Sequence, residues 1–255
     1  MTAVAGKDVL IVWDFDHSLV DDNSDTWVVQ ALRPELLPEF KRLRVEEGLG
    51  WTEIMGRQME ALWKLGVKQE DIDRCMTALA LQPRMVETVQ LIQSSGATQA
   101  SPPMILSDAN THFIEAITAH HGIRGAFASV ITNGSEYAPD GRLLVTPHHP
   151  AHAPHACALC PPNLCKGGVL DTIKGPYQRI IYVGDGGGDF CPATRMSAGD
   201  LVLARHAEDR AYGLWHKLMK CEPGQVAAEA RTWATGEDLY RIFAAELGMT
   251  QLDPV

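Results

Sequence analysis

Asp14-Phe15-Asp16 closes the apolar run Val9-Leu10-Ile11-Val12-Trp13, which sets two carboxylates at the end of a strand expected to be buried on both faces. Unpaired charge is costly there, and open α/β sheets bind ligands just beyond the carboxyl ends of such strands, so the pair calls for something cationic. In extended backbone the two side chains share a side. A turn beginning at Phe15 lets one face forward while the other reaches over it. One carboxylate can then attack while the other handles a proton. That division of labour suits phosphoryl transfer, where nucleophile and target are both anionic and a divalent cation must lie between them.

Such a cation needs more carboxylates, and a second apolar run, Ile180-Ile181-Tyr182-Val183, leads into Gly184-Asp185-Gly186-Gly187-Gly188-Asp189. Here again acids stand at a strand end, in a loop whose glycines permit close approach. Mg²⁺ is the expected ion, being hard and usually held by one or two carboxylates with water and phosphate oxygens. A third run, Met104-Ile105-Leu106, ends in the hydroxyl of Ser107, followed by Asp108-Ala109-Asn110 and a helix expected from Thr111 to Ala119. A hydroxyl and amides at a helix start can hold phosphate. Lys166 stands ahead of a further helix and can serve as a point charge for a phosphoryl oxygen.

The order Asp-x-Asp, Ser, Lys, Gly-Asp-x-x-x-Asp resembles the haloacid dehalogenase superfamily of aspartate-nucleophile phosphatases. The longer strings Asp14 to Asp25, Ser107 to Asn110, Cys160 to Lys166 and Gly184 to Pro192 look like its phosphoethanolamine/phosphocholine phosphatase subfamily, whose relatives include pyridoxal phosphate and thiamine monophosphate phosphatases. The likeness runs from about Val9 to Lys217 and is weak from Met219 onward. It implies Asp14 as the nucleophile that forms an aspartyl-phosphate and Asp16 as general acid and base. It implies phosphate contacts from Ser107, Asp108 and Lys166. It places Mg²⁺ on Asp185, the Asp14 side chain and the Asp16 backbone carbonyl, with Asp189 acting directly or from behind. Ser18 stands where the superfamily usually has Thr, His112 replaces a usual aromatic, and Pro102-Pro103 are tolerable only at the start of their strand or on an edge.

The elements that must position these groups are an α/β, Rossmann-like core with a mainly parallel sheet and an inserted helical cap. The expected core is 1–20 and 102–255, the cap 21–101. Within the gap from Asp16 to Ser107, helical spacing appears in Ile54, Met55, Met59 and Leu62, in Ile72, Cys75, Met76 and Leu79, and in Met85, Val89 and Ile92, with Pro83 near a helix start. Val130-Ile131 and Leu201-Val202-Leu203 supply further strands. Thr235 with Asp238 forms a capping-box pattern, and Gly248 suits a helix stop.

A chain of 255 residues with 45% apolar content can bury a substantial core, and its net charge of −10 argues against a nucleic-acid partner. No apolar run is long enough to span a bilayer, and Met1–Asp8 lacks a secretory pattern, which reads as a soluble, cytoplasmic protein. A surplus of acid near a phosphate site suits a substrate that carries a positive group. In the resembled subfamily the acids at Asp25 and Asp108 face an amine, and Trp27, Trp51 or Trp63 can add an aromatic face or simply pack. Cys157-x-x-Cys160, with Cys165, Cys191 and nearby His148, His149, His152 and His155, has partial zinc-ligand spacing but lacks the second half of a regular pattern. The plainer reading is of reduced thiols that merely fill apolar space, with a structural metal or a disulfide as the alternatives.

The expected activity is Mg²⁺-dependent hydrolysis of a small phosphorylated amine or alcohol, phosphocholine or phosphoethanolamine first. Thiamine monophosphate, pyridoxal phosphate and pyrophosphate stay open as substrates. A noncatalytic phospholigand-binding protein of the same fold should have lost one of Asp14, Asp16, Lys166 or Asp185, and all four are present.

Overall fold

The computed structural model describes residues 9–249 apart from 97, 99, 100, 176 and 209, so the expectation for Met1–Asp8 lies outside the described residues. In chain order the elements are β1 (Val9–Trp13), α1 (Ser24–Leu32), α2 (Leu37–Val45), α3 (Trp51–Lys64), α4 (Gln69–Thr77) and α5 (Met85–Ser94). Then come β2 (Met104–Asn110), α6 (Thr111–His120), β3 (Ser129–Tyr137), β4 (Leu143–Thr146), α7 (Lys166–Ile173) and β5 (Arg179–Gly184). The chain ends with α8 (Phe190–Ala193), β6 (Leu201–Arg205), α9 (Gly213–Lys220), β7 (Glu229–Trp233) and α10 (Gly236–Glu246).

The strands form one sheet in the order β4-β3-β2-β1-β5-β6-β7. Every pairing is parallel except β3 with β4. β1 is central because its side chains are apolar on both faces. Ile11 and Trp13 enter one core with Ile105, Val183 and Trp233, while Leu10 and Val12 enter the other with Leu106, Tyr182 and Val202. Trp13 pairs with Val183 on one side and Ile105 on the other. The ends of β1, β2 and β5 therefore lie side by side where the strand order reverses, the usual ligand crevice of such sheets.

Pro102 and Pro103 stand just before β2, outside its ladder, and the Pro103 carbonyl accepts the Ala128 N–H at 2.9 Å. Strand β2 runs past Ser107 to Asn110, with a register shift against β3 after Leu106. The capping box at Thr235 is formed and Gly248 adopts φ +66°, closing α10.

Helices α1 to α4 sit between β1 and β2 in sequence, with α3 lying against β4 and α4 against α6. An antiparallel bridge between Val20 and Leu81 joins the chain entering this group to the chain leaving it. Helix α5 packs instead on α10, its apolar face of Met85, Val89 and Ile92 buried in the main core. We accordingly propose a cap of residues 21–80, shorter than the sequence expectation of 21–101, because periodicity marks α5 as a helix without saying what it covers. Among the described residues no helix is long and apolar enough to cross a membrane.

Candidate active site

The backbone after β1 stays attached to the sheet through the Asp14 N–H, which donates to the Val183 carbonyl at 2.9 Å. The chain then turns sharply: the Phe15 carbonyl accepts the N–H groups of Ser18, Leu19 and Val20, and His17 adopts φ +55°. This left-handed residue is strained for a non-glycine side chain. Arg205 secures it, donating to the His17 carbonyl at 2.5 Å and to Asp21 Oδ1 at 2.6 Å. The Asp16 carboxylate is held at the start of α1, its Oδ1 accepting the Ser24 N–H at 2.9 Å.

Lys166 opens α7 and is 3% exposed. Its Nζ lies 2.8 Å from Asp14 Oδ1 and 2.8 Å from Asp189 Oδ1. Asp189 has both oxygens engaged. Oδ1 also accepts the Tyr182 hydroxyl at 2.7 Å, and Oδ2 accepts the N–H groups of Asp185 at 3.1 Å and Gly186 at 2.8 Å. Gly184 is required here, since a Cβ would fall 2.6 Å from the Asp189 carboxyl.

Ser107 does not cap the helix that follows; its Oγ accepts the Ala109 N–H at 3.2 Å, and Asn110 caps α6 by accepting from Phe113. The bend beyond Ser107 is braced by Asn133, which donates to the carbonyls of Asp108 at 2.6 Å and Ala109 at 3.0 Å. From the cap, buried Asp25 accepts the Trp51 indole N–H at 2.6 Å and the Asn110 amide at 3.5 Å.

All eight side chains singled out in the sequence (Asp14, Asp16, Asp25, Ser107, Asp108, Lys166, Asp185 and Asp189) border one cavity of about 220 Å³. Trp51 lines it too, whereas Trp27 donates to the Cys75 carbonyl and Trp63 to that of Asp140. Sequence reasoning missed the bracing set of Tyr182, Asn110 and Asn133. Only Tyr182 carried a signal, as a hydroxyl inside an apolar run.

The electrostatics follow from acids crowded away from water. Burial, then the charge of Asp189, hold Asp14 well above the usual carboxylate range. Burial and the charge of Asp25 push Asp16 up to about 8; burial and Asp189 push Asp185 up to about 7. Asp25 stands at about 7 through burial, against the Trp51 hydrogen bond that lowers it. Burial also raises Asp108. Burial works against the charge of Lys166, but Asp14 and Asp189 outweigh it and hold the ammonium well above its usual value.

Carboxylate oxygens of Asp14, Asp185 and Asp189 lie within 4.8 Å of one another. With Asp189 committed to its four donors, Asp14 and Asp185 remain to offer oxygen to a cation. The hard donors and the raised carboxyl groups both fit a divalent ion such as Mg²⁺, which would relieve their mutual repulsion.

A parallel sheet that presents paired acids, a lysine and a further acidic loop at the ends of its middle strands defines a phosphatase of the haloacid dehalogenase fold. A HAD-family hydrolase from Salmonella enterica superposes with a TM-score of 0.57 at 15% identity, covering 83% of this chain and 70% of the other. Residues 9–247 match the family described as Putative Phosphatase, and the chain belongs to it. A thiamine phosphate phosphatase-like protein of Arabidopsis thaliana is 36% identical, covering 92% of this chain and 93% of its own. The Bos taurus pyridoxal phosphate phosphatase PHOSPHO2 is 33% identical over 91% and 95%. The human phosphoethanolamine/phosphocholine phosphatase is 33% identical over 94% and 89%. The chain is a phosphoric monoester hydrolase.

Proposed function

We propose that this phosphatase is Mg²⁺-dependent and hydrolyses a small phosphorylated amine, phosphocholine or phosphoethanolamine, through an aspartyl-phosphate on Asp14. The observation that carries the reading is the charge balance of the cavity: Asp14, Asp16, Asp25, Asp108, Asp185 and Asp189 face it with Lys166 as the lone lysine or arginine among its lining residues. A phosphate alone would be repelled. A phosphate joined to an ammonium, entering with a divalent cation, matches both ends of the site.

Asp14 and Asp185 would hold Mg²⁺, with Asp189 supporting them from behind. When bound, the ion neutralises charge between carboxylate and phosphate and lets them approach. Lys166 and Ser107 hold phosphoryl oxygens. An Asp14 oxygen forms a bond to phosphorus as the bond from phosphorus to the ester oxygen breaks. Asp16, kept protonated near neutrality, gives its proton to the leaving alkoxide. Its carboxylate then takes a proton from water, which attacks phosphorus, restores Asp14 and releases inorganic phosphate.

The substrate's cationic end lies toward Asp25 and Asp108, beside Trp51, whose ring stacks on Phe40 at 5.5 Å. The cavity is smaller than a pocket for a drug-sized ligand, typically about 300–1,000 Å³. That favours the two-carbon amines. Thiamine monophosphate is the second reading, because its thiazolium cation suits the same acids and indole. Pyridoxal phosphate is next, and pyrophosphate lacks any group to answer Asp25.

The test is kcat/KM for the five phosphate substrates, each with and without Mg²⁺. Phosphocholine or phosphoethanolamine should rank first, and activity should vanish with chelator. Asp14→Asn should abolish turnover with the fold intact; retention of most activity rejects the nucleophile.

A further inference from the structure

We propose that Cys157, Cys160, Cys165 and Cys191 form a structural zinc site. Their sulfur atoms all lie within 4.8 Å of one another, the Cys157 and Cys191 Sγ atoms being 3.6 Å apart, and all four are free thiols. A tetrahedral Zn²⁺ with Zn–S bonds of about 2.3 Å sets sulfurs about 3.8 Å apart, so small side-chain movements close the shell. Four soft donors of one kind, with no oxygen ligand among them, select zinc over magnesium. The missing half of the zinc pattern is supplied by Cys165, which caps α7, and by Cys191 in the first turn of α8.

The surroundings are arranged for thiolates. Cys165 Sγ accepts the Gly168 N–H at 3.2 Å. A Cβ on Gly167 would fall 2.5 Å from Cys191 Sγ and 2.7 Å from Arg195 Nε, so the bare glycine lets helix, sulfur and guanidinium meet. That cation offsets part of the negative charge that four thiolates leave on Zn²⁺. The neighbouring histidines serve the loop instead: His155 uses Nδ1 for the Cys157 N–H and Nε2 for the Pro161 carbonyl, and His149 Nδ1 accepts from the Cys165 N–H.

Four protein ligands leave no open position, so the ion is a clip and does no chemistry. It fastens the segment 147–165, which contributes no helix or strand, to α7 and α8. Cys165 immediately precedes Lys166, and Cys191 follows Asp189 by two residues. The clip therefore holds together the two stretches whose side chains form the 2.8 Å ion pair.

The test reads metal, independently of phosphatase activity. The full chain, dialysed against EDTA to strip Mg²⁺, should retain one zinc per chain by mass spectrometry of the elements. Cobalt in its place should give thiolate-to-metal charge-transfer bands and the intense visible bands of a tetrahedral site. Cys157→Ser and Cys160→Ser should lose the metal, and His152→Ala should keep it. A serine variant can fail by misfolding, so the wild-type chain is also titrated with a mercurial while a chelating dye follows release; one zinc should leave as four thiols react. Absence of zinc, iron in its place, cobalt spectra without thiolate bands, or a disulfide among the four cysteines would each overturn the site.

Discussion

Lys166 Nζ sits 2.8 Å from Asp14 Oδ1, in a pair almost closed to water at 3% and 6% exposure. The same ammonium also answers Asp189. Removing one partner of a buried pair leaves its counter-charge without compensation, at about 3–5 kcal/mol. Lys166→Met should therefore lose stability on that scale and lower kcat by at least ~100-fold. Lys166→Arg should not rescue it, because a planar fork cannot reproduce a compact point charge set 2.8 Å from both Asp14 and Asp189. Urea unfolding with steady-state kinetics checks both; near-native stability in Lys166→Met would contradict the ion-pair account.

Asp25 gives a pH dependence with a defined sign. Its carboxyl stands at about 7 in the folded chain through burial, well above the unfolded carboxylate. Protonated Asp25 therefore favours the fold; that contribution is complete below the unfolded pKa and is lost as pH rises through about 7. Asp25→Asn, which keeps an oxygen for the Trp51 N–H, should melt higher than wild type above neutrality and converge with it in acid. Catalysis runs the other way. Ionised Asp25 attracts the substrate's ammonium, so wild-type kcat/KM for phosphocholine should climb through neutrality more steeply than in Asp25→Asn. Parallel pH profiles for the two proteins would remove Asp25 from substrate recognition.

The acids at the ends of β1 and β5 were legible because each lies in one short string, where apolar run, turn and carboxylate follow in order. Ser107 and Lys166 were legible for the same reason. Asn110, Asn133 and Tyr182 were not, and Trp51 could not be told from Trp27 and Trp63: each matters through a partner brought up by folding, as when an indole in α3 reaches Asp25 in α1. Helix α5 shows the limit of periodicity, which marks a face to be buried but not the surface that buries it. Strand β4 carries only the short run Leu143-Leu144-Val145, of which Leu144 and Val145 are half-exposed, and this gave no signal of a core strand. The four cysteines stood out together in the sequence, but with Cys191 lying 26 residues beyond Cys165 their spacing could not show that they converge.

Asp189 acts as a hub, and its replacement should differ from that of its neighbour. Asp189→Asn turns one acceptor oxygen into a donor facing either Lys166 and Tyr182 or two backbone N–H groups. Every orientation sets donor against donor. The cost should reach several kcal/mol. Tyr182→Phe removes only one of the four hydrogen bonds and should cost about 1 kcal/mol, less any desolvation gained back. A double-mutant cycle by chemical denaturation should give a coupling between them of about 0.5–3 kcal/mol. Additive effects would mean that the hydroxyl does not help to hold the carboxylate.

Gly236 opens α10 where that helix meets α5, and a Cβ there would fall 2.0 Å from the Pro83 carbonyl oxygen. Backbone cannot swing aside as a side-chain tip can, so Gly236→Ala must separate the two helices or distort the turn before α5. That turn is already constrained, since Arg84 adopts φ +68°. Alanine is the better helix former by about 1 kcal/mol, yet overpacking of this kind costs about 1–3 kcal/mol or more, so the substitution should lower the melting temperature. Gly56, within α3, provides the opposite case: a Cβ there meets nothing within 4 Å, and Gly56→Ala should raise stability by up to about 1 kcal/mol. Calorimetry on the two variants separates close packing from helix propensity. A rise at both positions would mean that propensity governs both and that α5 and α10 are not in the contact described.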